Sequence, residues 1–180
     1  MALLFAMTGS LVLPLLQIVM NALGLAAMFG ILVLVFQDGR LEGLLGYTSQ
    51  GGLEAPQLLL LFATIFGLST DYGVFLLSRI KEARDGGHSD AEAVAVGLER
   101  TGRIVTAAAL LFAVAFGAFL TSQIVITKEL GLASAVGVLI DATIIRALLL
   151  PAAMRRLGGW SWWAPAPLRR LHARMRFSEA

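Results

Sequence analysis

The chain has 180 residues, 58% of them hydrophobic and 14% charged, with a formal net charge of +2 and a mean hydropathy of +0.82. Soluble domains carry about a quarter charged residues; here the deficit lies in long uncharged stretches, which excludes an ordinary globular protein and marks a polytopic membrane chain. With no cysteine, a disulfide framework and a thiolate metal site are both excluded.

Residues 1–36 contain no charge. As one straight helix they would be about 54 Å long, well beyond a hydrocarbon core of about 30 Å. Pro14, just after Gly9 and Ser10, is expected to break the run into a partial span over 1–13 and a full span over 15–36. No basic region precedes the apolar residues, so a signal peptide is not expected. A chain that starts inside an apolar segment reads as one lacking spans upstream. Residues 37–57 are polar and glycine-rich, with Asp38, Arg40, Glu42 and Glu54, which suits an interfacial loop with room for a short surface helix. The next full span, 58–80, carries Asp71. Residues 81–102 are the most charged stretch, and Ser89 with Glu92 forms a capping-box pattern that should open a short helix to about Glu99. Two further spans, 103–126 and 130–154, are separated only by Thr127, Lys128 and Glu129, which predicts an antiparallel hairpin. Residues 155–180 form a basic and aromatic tail. The expected fold is all-α: a membrane helix bundle of four full spans and one partial N-terminal span.

Lysine and arginine set the orientation. Arg79, Lys81, Arg84, Arg100 and Arg103 flank one loop, and Arg155, Arg156, Arg169, Arg170, Arg174 and Arg176 lie in the tail. The opposite side has Arg40 and Lys128, and Arg146 lies inside the last span. Eleven against two predicts a cytoplasmic C-terminus in the cell membrane. Trp160, Trp162 and Trp163 then fall where an inner aromatic belt belongs, and the tail suits anionic lipid.

The chemistry should sit on two intramembrane acids. Asp71 is the only charge between Glu54 and Arg79, and Asp141 lies at the middle of another apolar run. An ionised carboxylate at that depth costs several kcal/mol unless paired, hydrated or protonated, and such groups usually mark ion or proton pathways. Each acid has a face of small or polar residues: Thr64, Gly67, Asp71, Val74 and Ser78 in one span, and Ser134, Gly137, Asp141, Ile145 and Leu148 in the other. Both acids are therefore expected to look into a bundle. Close helix approach is expected at Gly137-x-x-x-Asp141 and at Ala113-x-x-x-Gly117. Tyr72 lies about 100° around the helix from Asp71, placed to serve an acid on a neighbouring helix rather than Asp71 itself. Arg146, five residues beyond Asp141, is about 140° around an α-helix, so a same-helix ion pair is expected to be poor. Arg146 should snorkel, or reach an acid or carbonyl on another helix.

His88 and His172 have no partners at ligand spacing, and no phosphate loop, HExxH or nucleophile elbow occurs. Neither a metal, a cofactor nor nucleic acid is expected, and the chain is not read as an enzyme. Two mid-membrane aspartates would also suit an intramembrane aspartyl protease. That family's second aspartate follows a Gly-x-Gly pattern, whereas Asp141 follows Val138-Leu-Ile140, and its Pro-Ala-Leu motif is missing.

With Gly67-Leu-Ser-Thr-Asp-Tyr72 followed by Phe75-Leu-Leu-Ser-Arg-Ile80, the chain resembles the MMPL family of resistance–nodulation–division transporters. Gly97-Leu-Glu-Arg-Thr-Gly-Arg103, Lys128-Glu-Leu-Gly131 and Val136-Gly-Val-Leu-Ile-Asp-Ala-Thr143 with Arg146 extend the likeness over nearly all of residues 1–165. The resemblance implies a proton-driven exporter of lipids or hydrophobic compounds, built from two halves whose Asp-Tyr pairs face each other. It implies that Asp71 and Tyr72 form one side of a proton relay. Asp141, Arg146, Ser69 and Ser78 are expected to be its supporting intramembrane polar groups. It also implies that this chain corresponds to the last five spans of the second half, whose partners are the missing half or a second copy, membrane lipid and a lipid or hydrophobic cargo. A non-transporting membrane scaffold or gene remnant is the rival reading. Two local departures stand out: Gly73, where many members carry an acid, and Gln17, near where a basic residue often stands.

Overall fold

A computed structural model of the chain describes residues 2–49 and 51–168. Within them the protein is helical, with no strand, and four helices are long and apolar enough to cross a membrane. Arg169, Arg170, Arg174, Arg176 and His172 of the expected tail lie outside the described residues.

The first helix, α1 (Ala2–Thr8), is the partial span. The break after it is not at Pro14. Gly9 turns the chain in the left-handed region at φ 67°, a conformation that costs glycine little. Ser10 then accepts the N–H groups of Val12 and Leu13 at 3.0 and 3.3 Å. Pro14 sits in the first turn of α2 (Val12–Leu32), where its missing N–H would have no intrahelical partner anyway. One wider π-helical turn, Val33–Gln37, continues α2 to the loop, which contains the short α3 (Glu42–Leu45).

The next two helices outrun their apolar stretches. In α4 (Ala55–Asp85) the chain stays helical through Lys81, Arg84 and Asp85. The helix α5 (Asp90–Gly117) starts at the expected capping box: Ser89 accepts the Glu92 N–H, and the Glu92 carboxylate accepts the Ser89 N–H. It does not stop at Glu99. Nothing between Glu99 and Arg103 breaks a helix, since an internal glycine such as Gly102 costs only about 1 kcal/mol, so the expected short helix and the following span are one element.

The hairpin turn is also displaced from its expected place. A 3-10 turn, Ala118–Thr121, ends α5; the chain reverses at Ser122, and α6 (Val125–Ile140) already contains Thr127, Lys128 and Glu129. Lys128 is buried there and donates to the carbonyls of Leu45 and Gly46, tying α6 to the α3 loop. α6 runs without a break into a π-helical stretch, Asp141–Leu149, and then α7 (Leu150–Leu157). At the other end of the bundle, Ser10 donates to the Ser161 carbonyl at 2.7 Å, and the Arg84 guanidinium lies 4.3 Å from the Trp162 ring centroid. The described arginines of the charged loop and the tail thus share the end where α1 meets α2.

Two apolar clusters fill the bundle. One joins Leu4, Leu13, Met20, Leu76, Ile80 and Leu150; the other joins Leu25, Met28, Leu32, Leu61, Ile65 and Ala133. Along α2, α4 and α6 the residues between these clusters are Asn21, Ser69 and Asp141. A polar layer therefore lies between two greasy ones.

Candidate functional site

The layer is built by three helices. Gln17 and Asn21 come from α2, one turn apart on one face, and Gln17 Nε2 donates to Asn21 Oδ1 at 2.6 Å. From α4, the Ser69 hydroxyl is 2.8 Å from Asn21 Oδ1 and 2.6 Å from Asp141 Oδ1. From the α6 extension, Arg146 Nε donates to Asp141 Oδ2 at 2.6 Å, and Arg146 Nη2 donates to Ser69 Oγ at 3.0 Å. Asp141 is 3% exposed and Arg146 2%. Buried charges persist when paired and hydrogen-bonded, as these are.

The Asp141–Arg146 pair corrects the expectation that a separation of five residues would keep them apart. In an α-helix it would. The π-helical register of Asp141–Leu149 bonds each residue to the fifth along, so positions five apart return to one face. The same widening turns Leu148 outward, while Ile145 stays buried with Asp141. Arg146 therefore does not snorkel. Its Nη1 is buried without a partner, and it lines a cavity of about 40 Å³ with Leu76, Thr101, Val105 and Thr106. That is room enough for a water molecule.

Asp71 behaves differently. Two residues beyond Ser69 is about 200° around the helix. Ser69 and Gly73 are buried, Tyr72 is half-buried and Asp71 is exposed. The expectation that both acids look into this bundle holds for Asp141 and fails for Asp71, which faces outward with no hydrogen bond or ion pair from its carboxylate to another described side chain. The two carboxylates are not brought together, so they do not form the shared-proton dyad of an aspartyl protease. Tyr72 is half-buried, and its phenol lies within electrostatic reach of both Asp141 and Arg146. Ser78 donates to the Phe75 carbonyl at 2.7 Å within its own helix and takes no part in the layer.

Gln17 and Asn21 belong to the layer although the sequence marks neither as a site residue. Neutral amides inside an apolar span carry no charge signal, yet their spacing of four on one helix face is the pattern that would have found them. The two departures, Gly73 and Gln17, meet in space: a Cβ on Gly73 would run into the Gln17 amide. Of the glycine approaches, Gly137 packs closely, its Cβ position 3.2 Å from both Ile65 Cδ1 and Met28 Cγ. Gly117 faces open space, so Ala113-x-x-x-Gly117 makes no close approach here.

A family profile described as the MMPL family matches residues 1–179. The trehalose monomycolate exporter MmpL3 of Mycolicibacterium smegmatis is 47% identical over 177 residues, covering 98% of this chain and 17% of that protein. MmpL3 of Mycobacterium tuberculosis is 46% identical over 177 residues, 98% of this chain and 19% of that protein. The mycolic acid-containing lipids exporter MmpL11 of M. smegmatis is 40% identical over 156 residues, 87% of this chain and 16% of that protein. The chain thus spans less than a fifth of the length of these three relatives.

Proposed function

This chain belongs to the MMPL family, and from that membership we propose that it supplies the C-terminal transmembrane portion of a lipid exporter driven by the proton gradient. It is a multi-pass membrane protein whose relatives are transporters. In this reading Asp71 carries the proton and Tyr72 is its donor across the bundle. Asp141, Arg146 and Ser69 hold α2, α4 and α6 in register behind them. The cargo is a lipid or another hydrophobic compound, as the names of the relatives suggest. The C-terminus lies in the cytoplasm, by the lysine and arginine count.

The observation that carries this reading is the outward-facing Asp71. The other mid-span carboxylate finds its cation within the chain; Asp71 lies on an exposed face of α4, where bare lipid would be a costly neighbour. A carboxylate so placed suits a partner surface, supplied by another polypeptide or a second copy. The chain by itself is then not expected to move cargo.

The test is Asp71→Asn in an assembly that exports lipid from proteoliposomes under an imposed pH gradient. Gradient-dependent export is expected to fall to background while membrane insertion is unchanged. Export retained by the variant refutes the relay role. An assembly with wild-type chain that never exports favours the scaffold reading.

A further inference from the structure

Ser69 has one hydroxyl proton and two acceptors for it. Asp141 Oδ1 is 2.6 Å away and Asn21 Oδ1 is 2.8 Å away, while Arg146 Nη2 donates to the same hydroxyl at 3.0 Å. The orientation of Asn21 follows from its other neighbour. Thr70 Oγ1 donates to the Phe66 carbonyl at 2.7 Å, so it must accept from Asn21 Nδ2 at 3.1 Å. That turns the Asn21 carbonyl oxygen toward Ser69, where it also accepts from Gln17 at 2.6 Å. Two acceptors compete, and only one can win.

We propose that Ser69 is a two-position hydrogen-bond switch that passes the protonation state of Asp141 to Asn21, from α6 across α4 to α2. With Asp141 ionised, the Ser69 proton points at the carboxylate, because charge-assisted bonds are roughly twice as strong as neutral ones. Asn21 Oδ1 then keeps only the Gln17 bond. When Asp141 Oδ1 takes a proton from a hydronium ion, which leaves as water, the new O–H donates to Ser69 Oγ. The hydroxyl rotates about Cβ–Oγ and donates to Asn21 Oδ1, and Asp141 Oδ2 still accepts from Arg146 Nε. One proton is gained, at Asp141; the Ser69 O–H bond never breaks, and its oxygen accepts two bonds while donating one, its full capacity.

The groups that face Asp141 leave this pathway open. Its own helix presents Arg146. From α4 comes Tyr72, within electrostatic reach, with Asp71 on the far, exposed side. From α2 come the neutral Gln17 and Asn21, and α5 adds no titratable group to the cavity beside Arg146. Ser69 is thus a positioning residue. Its role goes beyond the transport reading, since it concerns Asp141 and holds whether or not Asp71 serves export.

Asn21 is the only asparagine in the chain, so labelling asparagine with ¹³C and ¹⁵N gives one side-chain signal. The experiment is a solid-state NMR pH titration of the full chain in lipid bilayers, following that signal and the Asp141 carboxyl carbon. The Asn21 signal is expected to move with the same midpoint as Asp141. In Ser69→Ala the Asp141 carbon should still titrate while the Asn21 signal stays fixed; Ser69→Thr, which keeps a hydroxyl, should restore the movement. The proposal is overturned by an Asn21 signal that stays still while wild-type Asp141 titrates. It is equally overturned by one that still follows in Ser69→Ala, or by an Asp141 that remains ionised at every pH where the chain is folded. If Ser69→Ala does not fold, the wild-type and Ser69→Thr titrations decide, since both must show the coupled movement.

Discussion

Arg146→Met is expected to destabilise the bundle by about 3–5 kcal/mol, and Arg146→Met combined with Asp141→Leu to recover most of that loss. The guanidinium is 2% exposed and makes two described bonds, to Asp141 Oδ2 at 2.6 Å and to Ser69 Oγ at 3.0 Å. Methionine fills much of the same space but leaves the buried carboxylate without its cation, between two apolar clusters. The desolvation of a lone buried charge, rather than the attraction that was lost, dominates the effect. Replacing both members removes that charge, and well-packed apolar residues of similar volume are often no less stable than a buried pair. Asp141→Leu alone should therefore cost about as much as Arg146→Met, because it strands the guanidinium. Equilibrium unfolding of the four proteins in lipid bicelles, titrated with a denaturing detergent, gives the cycle directly. An Arg146→Met chain within about 0.5 kcal/mol of wild type, the range of an ordinary surface change, would mean that the pair is hydrated and contributes little.

The parts of this architecture legible from sequence are those governed by bulk hydropathy and local capping. Four apolar spans, the partial first helix, the capping box at Ser89 and the burial of Asp141 follow from the partition of charge and from one hydrogen-bonding pattern. The displaced features follow from backbone register, which composition does not report. Arg146 reaches Asp141 only because the helix widens to a π register, and nothing in the run from Asp141 to Leu149 distinguishes that from an α-helix. Lys128 and Glu129 read as a loop because they are charged, yet Lys128 is buried against the carbonyls of Leu45 and Gly46. The turn falls instead at Ser122, whose hydroxyl accepts the Ile124 N–H at 3.1 Å. In the same way proline looked like the breaker near residue 14, whereas a left-handed glycine at 9 makes the bend. Asp71 stands out in the sequence by its depth, but depth says nothing about direction. Only the rotation of α4, fixed by Ser69 and Gly73 facing inward, turns it out of the bundle.

The glycines of the quoted motifs can be ranked by what occupies the space a side chain would need, and Gly131→Ala is expected to be costly, as is Gly97→Ala, whose Cβ would run into Ile80 Cγ1 and lie 3.0 Å from the Ile80 nitrogen. A Cβ on Gly131 would lie 2.7 Å from the Phe116 carbonyl oxygen and 2.8 Å from Phe119 Cβ, with the Leu120 nitrogen at 3.4 Å. These are backbone atoms or a Cβ fixed to backbone, so no side-chain rotation relieves the overlap, and α6 must move away from the end of α5. That movement also pulls on Lys128, three residues back, and loosens its bonds to the α3 loop. A loss of about 1–3 kcal/mol is expected, typical of an overpacked core. Gly73→Ala makes the contrast. The obstacle there is the end of the Gln17 side chain, which has three rotatable bonds and can swing aside. Displacing that buried amide should break the Gln17–Asn21 bond at a cost of about 0.5–1.5 kcal/mol, with neither helix forced to move. Detergent-induced unfolding midpoints of the two variants, each set against wild type, measure both losses. A Gly131→Ala chain as stable as wild type would show that α5 and α6 do not meet this closely in the folded protein.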